Sequence, residues 1–163
     1  MIRIYSFYAV DINLAEMSLP RLDLSVPTFD VQSVWFKHLV SGRKKVEGRK
    51  ATSKWMELVE SVEINPLVIL TNDQGDQALF NITEVREYTA IRPYRPAYEP
   101  MIEYIKNASA LSVYLMSEGL RHTLPGVDQL TEAIDVYRQW NTDDELITND
   151  FLAFEMTYVC DLF

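Results

Sequence analysis

The alternation of apolar and polar positions predicts strands at both ends of the chain and in its middle. Residues 1–10 alternate in this way, and residues 151–159 alternate with many aromatic side chains. The apolar run at residues 67–70 predicts a buried strand. The polar tract at residues 72–76 then predicts a turn into a returning strand over residues 77–88, so these two strands form a hairpin.

Apolar residues at helical spacing predict helices between the strands. The first helix has an apolar face built from residues three or four positions apart: Val31, Val34, Trp35, His38 and Leu39. Asp30 is its predicted N-cap, and Gly42 is predicted to end it. Further helices are predicted at residues 52–59, 99–106, 109–119 and 128–137. Residues 141–150 are predicted to form a polar connection.

This order of elements predicts the fold class. Strands interrupted by helices without a regular βαβ rhythm favour an α+β or barrel-like fold over a doubly wound parallel sheet. The length of 163 residues fits one domain, and the hydrophobic content of 48% is enough for a packed core. The chain has no glycine-rich phosphate loop of the GxxxxGK or GxGxxG kind.

Cysteine and histidine usage limits the chemistry further. The single cysteine, Cys160, allows neither a disulfide framework nor a cysteine-built zinc site, which favours a reducing, cytoplasmic location. The two histidines, His38 and His122, are not at the spacing of a ligand pair, so we predict no metal and no cofactor. Residues 1–10 are too short and too polar to span a bilayer, so we predict no membrane partner.

The distribution of charge is uneven. The net charge is −9, which argues against a general nucleic-acid coat protein. The segment from Lys37 to Lys54 contains seven basic residues and one acid, for a net charge of +6, and leaves −15 on the rest of the chain. Such a run is often a solvated helix face, but an isolated basic segment in an acidic protein also suggests a local anion site.

The centre of this segment, residues 42–49 with the sequence GRKKVEGR, is the main candidate site. After the helix ends, a strand would place Lys45, Glu47 and Arg49 on one face, because alternate side chains of a strand share a face. Lys44 would lie at the mouth of the strand and could turn to either side. Gly48, which lacks a side chain, would allow a ligand or another backbone to approach closely.

These residue types suggest anion binding, acid–base chemistry, or both. Arg49 could hold a phosphate or carboxylate through two hydrogen bonds, and Glu47 could act as a base or orient Arg49. Arg43 and Lys45 are further candidate ligand-binding residues, and Trp55 could stack on a base. A surface ladder of salt bridges explains the same spacing equally well.

The pattern Gly42-x-Lys44-x-x-Glu47-x-Arg49 resembles the G-x-K-x-x-E-x-R signature of the ASCH family. Tyr88 lies where that family often has a tyrosine at the end of the hairpin strand. Residues 124–127, LPGV, resemble a family turn, Tyr137 lies on the following helix as a family tyrosine does, and residues 151–156 resemble the closing strand. The resemblance covers about residues 28–159.

The resemblance implies a PUA-like fold, a small β-barrel with flanking helices, over residues 28–163. Residues 1–27 would then be an N-terminal extension made of a strand and a loop. The family also implies binding of RNA or a modified nucleotide in a cleft lined by the motif, and Tyr88 joins the candidate ligand-binding residues on this basis.

Two alternatives stay open. One ASCH subgroup resembles an amidohydrolase of acylated cytidine nucleosides that uses the motif lysine, a threonine and a later glutamate. Its lysine corresponds to Lys44, whereas Glu47 stands in the position of its threonine. Lys44 and Glu47 are then the candidate catalytic residues, with Glu47 activating water and Lys44 or Arg49 stabilising an oxyanion. The other alternative is a non-catalytic interaction protein that retains the fold.

Overall fold

The structure is a computed structural model that describes residues 2–6, 26–91 and 95–162. Six strands in these ranges form one sheet: β1 (Ile2–Ser6), β2 (Thr28–Asp30), β3 (Val46–Lys50), β4 (Leu67–Thr71), β5 (Gln77–Tyr88) and β6 (Phe151–Leu162). The strand order is β2-β4-β5-β6-β3. β1 pairs with the second half of β5, on the same edge of β5 whose first half pairs with β4. Among these six described strands, β2 and β4 form the one parallel pair. The sheet curls into a half-barrel whose edge strands are β2 and β3.

Seven helices of the described ranges cover the sheet: α1 (Ser33–Ser41), α2 (Ser53–Ile64), α3 (Met101–Ala108), α4 (Ala110–Glu118), α5 (Leu120–Thr123), α6 (Leu130–Arg138) and α7 (Asp143–Thr148). One face of the sheet packs against α3 to α7 around Tyr114 and Phe151. The other face packs against α1 and α2 around Phe29 and Phe154. The predicted α+β class with flanking helices is therefore confirmed, and the predicted barrel takes the form of a half-barrel.

Most predicted elements are present, with different boundaries. The helix expected to begin after Asp30 begins at Ser33, because Asp30 is the last residue of β2 and pairs with Thr71. The expected polar connection at residues 141–150 contains α7, whose N-terminus is stabilised by a capping box between Thr142 and Glu145.

The N-terminal extension is described only in part. Its predicted strand is confirmed as β1, which pairs with β5. The loop expected to follow falls mainly on residues 7–25, which lie outside the described ranges. Within those ranges no helix combines the length and the apolar character needed to cross a bilayer.

Candidate functional site

A cavity of about 690 Å³ lies beside edge strand β3. Its wall combines β3 with the chain that follows β2, the ends of β4 and α6, and one side of α1. All three tryptophans of the chain, Trp35, Trp55 and Trp140, line it. This volume is within the range of about 300–1,000 Å³ that is usual for small-molecule sites, and the aromatic lining suits a flat ligand.

The end of α1 brings Lys44 into the wall of this cavity. Gly42 ends the helix with a left-handed backbone, φ +79°, which a glycine adopts without steric cost. The Lys44 backbone N–H then donates to the His38 carbonyl at 3.0 Å, which turns the chain toward β3. The Lys44 side chain is enclosed, and its Nζ donates to the Val46 carbonyl at 2.8 Å and to the Thr123 carbonyl.

Glu47 lies between two cations. Its Oε2 is 3.8 Å from Lys44 Nζ, and its Oε1 is 3.5 Å from Arg49 Nη1. Burial lowers the pKa of the Lys44 ammonium below its ordinary value, an effect opposed by the charge of Glu47 and reinforced by Arg49. The three groups therefore form one electrostatic unit inside the protein.

The Glu47 carboxylate is only 6% exposed, yet both of its ionic contacts are longer than hydrogen bonds. Its Oε2 is enclosed and has no hydrogen-bond partner in the part of the chain that the structure describes. Buried polar atoms are nearly always hydrogen-bonded, and an exception calls for a functional or structural explanation. Glu47 thus keeps unused acceptor capacity at the cavity.

The Arg49 side chain links the two edge strands of the half-barrel, β3 and β2. Its Nη2 donates to the Asp30 backbone carbonyl, at the end of β2, at 2.8 Å. Its guanidinium lies over two rings, with Cζ 5.6 Å from the centroid of Phe29 and 5.1 Å from that of Trp55. These contacts fix Arg49 in the wall and leave Nη1 facing Glu47.

The Tyr114 ring packs against β3 at Gly48, and Tyr137 packs against Tyr114. A Cβ atom at Gly48 would lie 2.7 Å from the Tyr114 ring, so the close approach expected at Gly48 is made by an aromatic side chain. The Tyr114 and Tyr137 hydroxyl groups are 3.3 Å apart. Burial raises the pKa of both tyrosines, and the nearby charge of Glu47 raises each pKa further. Tyr137 itself lines the cavity.

The structure gathers some of the predicted site residues and separates others. Lys44, Glu47, Arg49 and Trp55 line the same cavity. Arg43 and Lys45 do not line it and are exposed. Lys45 precedes β3, and its backbone N–H donates to the His122 carbonyl at 2.9 Å.

Tyr88 lies elsewhere in the protein. It is buried in the cluster around Tyr114, and it is not part of the cavity wall. Its hydroxyl donates to the Glu118 carboxylate, which also accepts from Arg86 Nη2 at 2.7 Å. Burial and this carboxylate raise the pKa of Tyr88. The group ties the end of α4 to β5.

Sequence reasoning missed several wall residues. Lys50 and Asn141 line the cavity, and Lys50 also forms an ion pair with Glu145 of α7. The strand spacing that selected Glu47 and Arg49 assigns Lys50 to the opposite face. The Asp30 carbonyl accepts a hydrogen bond from Arg49. No signal in the sequence could have identified it, because every residue carries a backbone carbonyl.

The fold and the cavity define a small α+β protein with a charged site beside the open edge of a half-barrel. No family model matches the chain, and no curated protein matches it. A crystal structure of a hypothetical protein, PH0355, resembles it over 83% of this chain and 100% of that chain, with 21% sequence identity and a TM-score of 0.57. A solution NMR structure of a protein from Pyrococcus furiosus covers 83% of this chain and 98% of its own, with 20% identity and a TM-score of 0.48. The first likeness supports the fold.

Proposed function

We propose that the chain is an ASCH-like protein of the PUA-like class that binds a nucleotide, either free or within single-stranded RNA, in the cavity beside β3. One observation carries this proposal. All three tryptophans and the charged group of Lys44, Glu47 and Arg49 line a single cavity. A nucleotide combines a flat base with polar edges and an anionic phosphate, and this wall offers a counterpart to each.

The aromatic wall supports stacking of a base. Stacking of a base on an aromatic side chain contributes about 1–3 kcal/mol. Trp140, which is 53% exposed, is accessible to an incoming ring without any change in the core. The Arg49 guanidinium lies over the Trp55 ring, with Cζ 5.1 Å from the centroid, so an aromatic ring and a cation already meet in this wall.

The charges support a short ligand. Lys44, Glu47 and Arg49 together carry one net positive charge, whereas the chain outside residues 37–54 carries −15. Long, non-specific binding of nucleic acid needs a broad basic surface that this acidic protein does not offer. A single nucleotide or a few nucleotides of an unpaired strand match the local charge better.

Intrinsic tryptophan fluorescence tests the proposal, because every tryptophan of the chain lines the cavity. We expect the four 5′-mononucleotides and a short mixed-sequence single-stranded RNA to quench it with saturation, and RNA binding to weaken as salt rises. The Lys44→Ala/Arg49→Ala double variant, checked for folding by circular dichroism, should lose this binding.

A variant at the rim avoids the buried charges. Trp140→Ala should weaken binding about tenfold through loss of stacking, whereas Tyr98→Ala, an exposed aromatic outside the cavity wall, should leave it unchanged. Binding that is equally strong in wild type, Trp140→Ala and the double variant would refute the proposal.

A hydrolase acting on acylated nucleosides is the second candidate, and one observation favours it. A buried lysine with a lowered pKa lies beside a carboxylate that has unused acceptor capacity. In such a reaction Glu47 would take a proton from water as the water oxygen attacks the amide carbonyl, and Lys44 or Arg49 would stabilise the oxyanion. The C–N bond would then break, and the proton would pass to the leaving amine.

This candidate predicts turnover of N-acylated cytidines, measured by chromatography of the free nucleoside and the released acid. The rate should fall by about a hundredfold or more in Glu47→Gln. Glu63→Gln, the same substitution at an exposed position of α2 outside the cavity wall, is the matched control. No turnover across a panel of acyl groups would leave binding alone as the function.

A further inference from the structure

The hydrogen-bonding pattern of β3 determines which of its backbone groups face away from the sheet. Met156 N–H donates to the Lys45 carbonyl at 3.0 Å, and Ala51 N–H donates to the Asp150 carbonyl at 2.8 Å. The register between β3 and β6 is continuous between these two bonds. In an antiparallel pair, every second residue gives both of its backbone groups to the neighbouring strand. The backbone groups of Glu47 and Arg49 therefore bond to β6, and those of Val46, Gly48 and Lys50 point to the open edge.

Two of the outward carbonyls have partners within the chain. The Val46 carbonyl accepts from Lys44 Nζ at 2.8 Å, and the Lys50 carbonyl accepts from the Thr52 N–H at 2.8 Å. Both bonds are consistent with the alternation, because Val46 and Lys50 are outward residues. They also cap the two ends of the edge and leave its centre open.

That centre is Gly48, which lines the cavity. Its N–H and its carbonyl both point outward, and neither has a hydrogen-bond partner among the described residues. Gly48 is nevertheless buried. Buried backbone donors and acceptors are almost always paired, so an adjacent donor and acceptor that the described residues leave open at a cavity wall suggest a place where a ligand binds.

We propose that the N–H and carbonyl of Gly48 read the polar edge of a nucleobase that occupies the cavity, an inference that rests on the nucleotide-binding function proposed above. Each of the four bases carries a ring or amino N–H beside an acceptor, so a single residue with both groups exposed can bind such an edge. The Tyr114 ring beneath Gly48 supports this point of the edge. The Glu47 and Arg49 side chains flank it on the same strand.

This arrangement reads a base without depending on a side chain at the point of contact. It favours a planar ring with adjacent N–H and acceptor atoms over an aromatic anion that lacks them. It also predicts that blocking the N–H on the base edge will cost more affinity than changing the sugar.

Amide hydrogen exchange, measured by NMR, tests the contact directly in the full chain. In the free protein, the Gly48 amide should exchange much faster than the Arg49 amide, which bonds to β6. Saturation with the tightest-binding 5′-mononucleotide should bring the Gly48 rate close to that of Arg49. A Gly48 amide that still exchanges as much faster than the Arg49 amide at saturation as in the free protein, with occupancy verified by tryptophan quenching, would overturn the inference.

Base analogues provide a second test that needs no variant. Methyl groups that remove the edge N–H should weaken binding about tenfold or more: N6,N6-dimethyl on adenine, N4,N4-dimethyl on cytosine, N1-methyl on guanine or N3-methyl on uracil. A 2′-O-methyl ribose on the same nucleotide is the control and should bind within about twofold of the parent. Equal binding of edge-blocked and parent nucleotides would refute base reading at Gly48 while leaving nucleotide binding intact. Absence of quenching by every mononucleotide and by the single-stranded RNA would remove both proposals.

Discussion

Replacing Lys44 with methionine tests whether the buried charged group stabilises the fold. Methionine has a similar length but no donor, so the Val46 and Thr123 carbonyls each lose a hydrogen bond from an ammonium group. Such bonds contribute about 1.5–3 kcal/mol each. Glu47, only 6% exposed, also loses one of its two cations, and breaking one side of a buried pair typically costs about 3–5 kcal/mol.

These contributions are not additive, and the variant also removes the cost of burying the ammonium, which is the main reason for the lowered pKa of Lys44. We therefore expect the free energy of unfolding to fall by about 3 kcal/mol. The Lys44→Met/Glu47→Gln double variant should lose less than the sum of the two single variants, by about 1 kcal/mol or more, because it lacks the buried carboxylate charge that Lys44→Met leaves with Arg49 as its one remaining cation.

Urea unfolding followed by far-ultraviolet circular dichroism measures this difference. With a slope of about 2 kcal/mol per molar urea, the midpoint should fall by about 1.5 M while the slope stays unchanged. Lys37→Met, at an exposed position of α1, is the matched control and should change stability by less than about 0.5 kcal/mol. A Lys44→Met variant as stable as this control would refute the assigned role of Lys44.

Two further predictions follow from the same region. Burial lowers the pKa of Lys44 below 10.5 in the folded chain, so the unfolded chain binds more protons at alkaline pH, and wild type should gain stability relative to Lys44→Met as pH rises toward 10.5. A stability difference that does not change with pH, measured by urea unfolding, would contradict the lowered pKa. Gly48→Ala places a Cβ 2.7 Å from the Tyr114 ring and should cost about 1–3 kcal/mol in thermal unfolding. The loss should be smaller in a Tyr114→Leu background, and an equal loss in both backgrounds would mean that Tyr114 is not the obstacle.

Local signals in the sequence predicted much of the fold. The apolar run at β4 and the turn after it predicted the hairpin with β5, and the aromatic alternation near the C-terminus predicted β6. Gly42 ends α1 as predicted, because a left-handed residue there closes the last turn. Strand β2 was missed because three residues carry too little periodicity, and α7 was missed because its polar composition conceals a capping box.

The site was predictable only where its residues are close in sequence. Lys44, Glu47 and Arg49 lie within six positions, so one helix end and one short strand suffice to bring them together. The convergence of Trp35 and Trp140 on the same cavity depends on how α1 and α6 pack, which no local pattern specifies. The Lys45 side chain, predicted on the same face as Glu47 and Arg49, is exposed outside the cavity wall, because alternation along a strand does not specify side-chain direction in the residue just before its first position.

The most direct test of the central claim observes the tryptophan side chains during a nucleotide titration. The indole N–H groups of Trp35, Trp55 and Trp140 can each be followed in a proton–nitrogen correlation spectrum of the full chain. If the cavity beside β3 binds a base, signals of all three should shift along one saturating curve when the tightest-binding mononucleotide is added. Indole signals that remain in place at millimolar nucleotide would contradict the account.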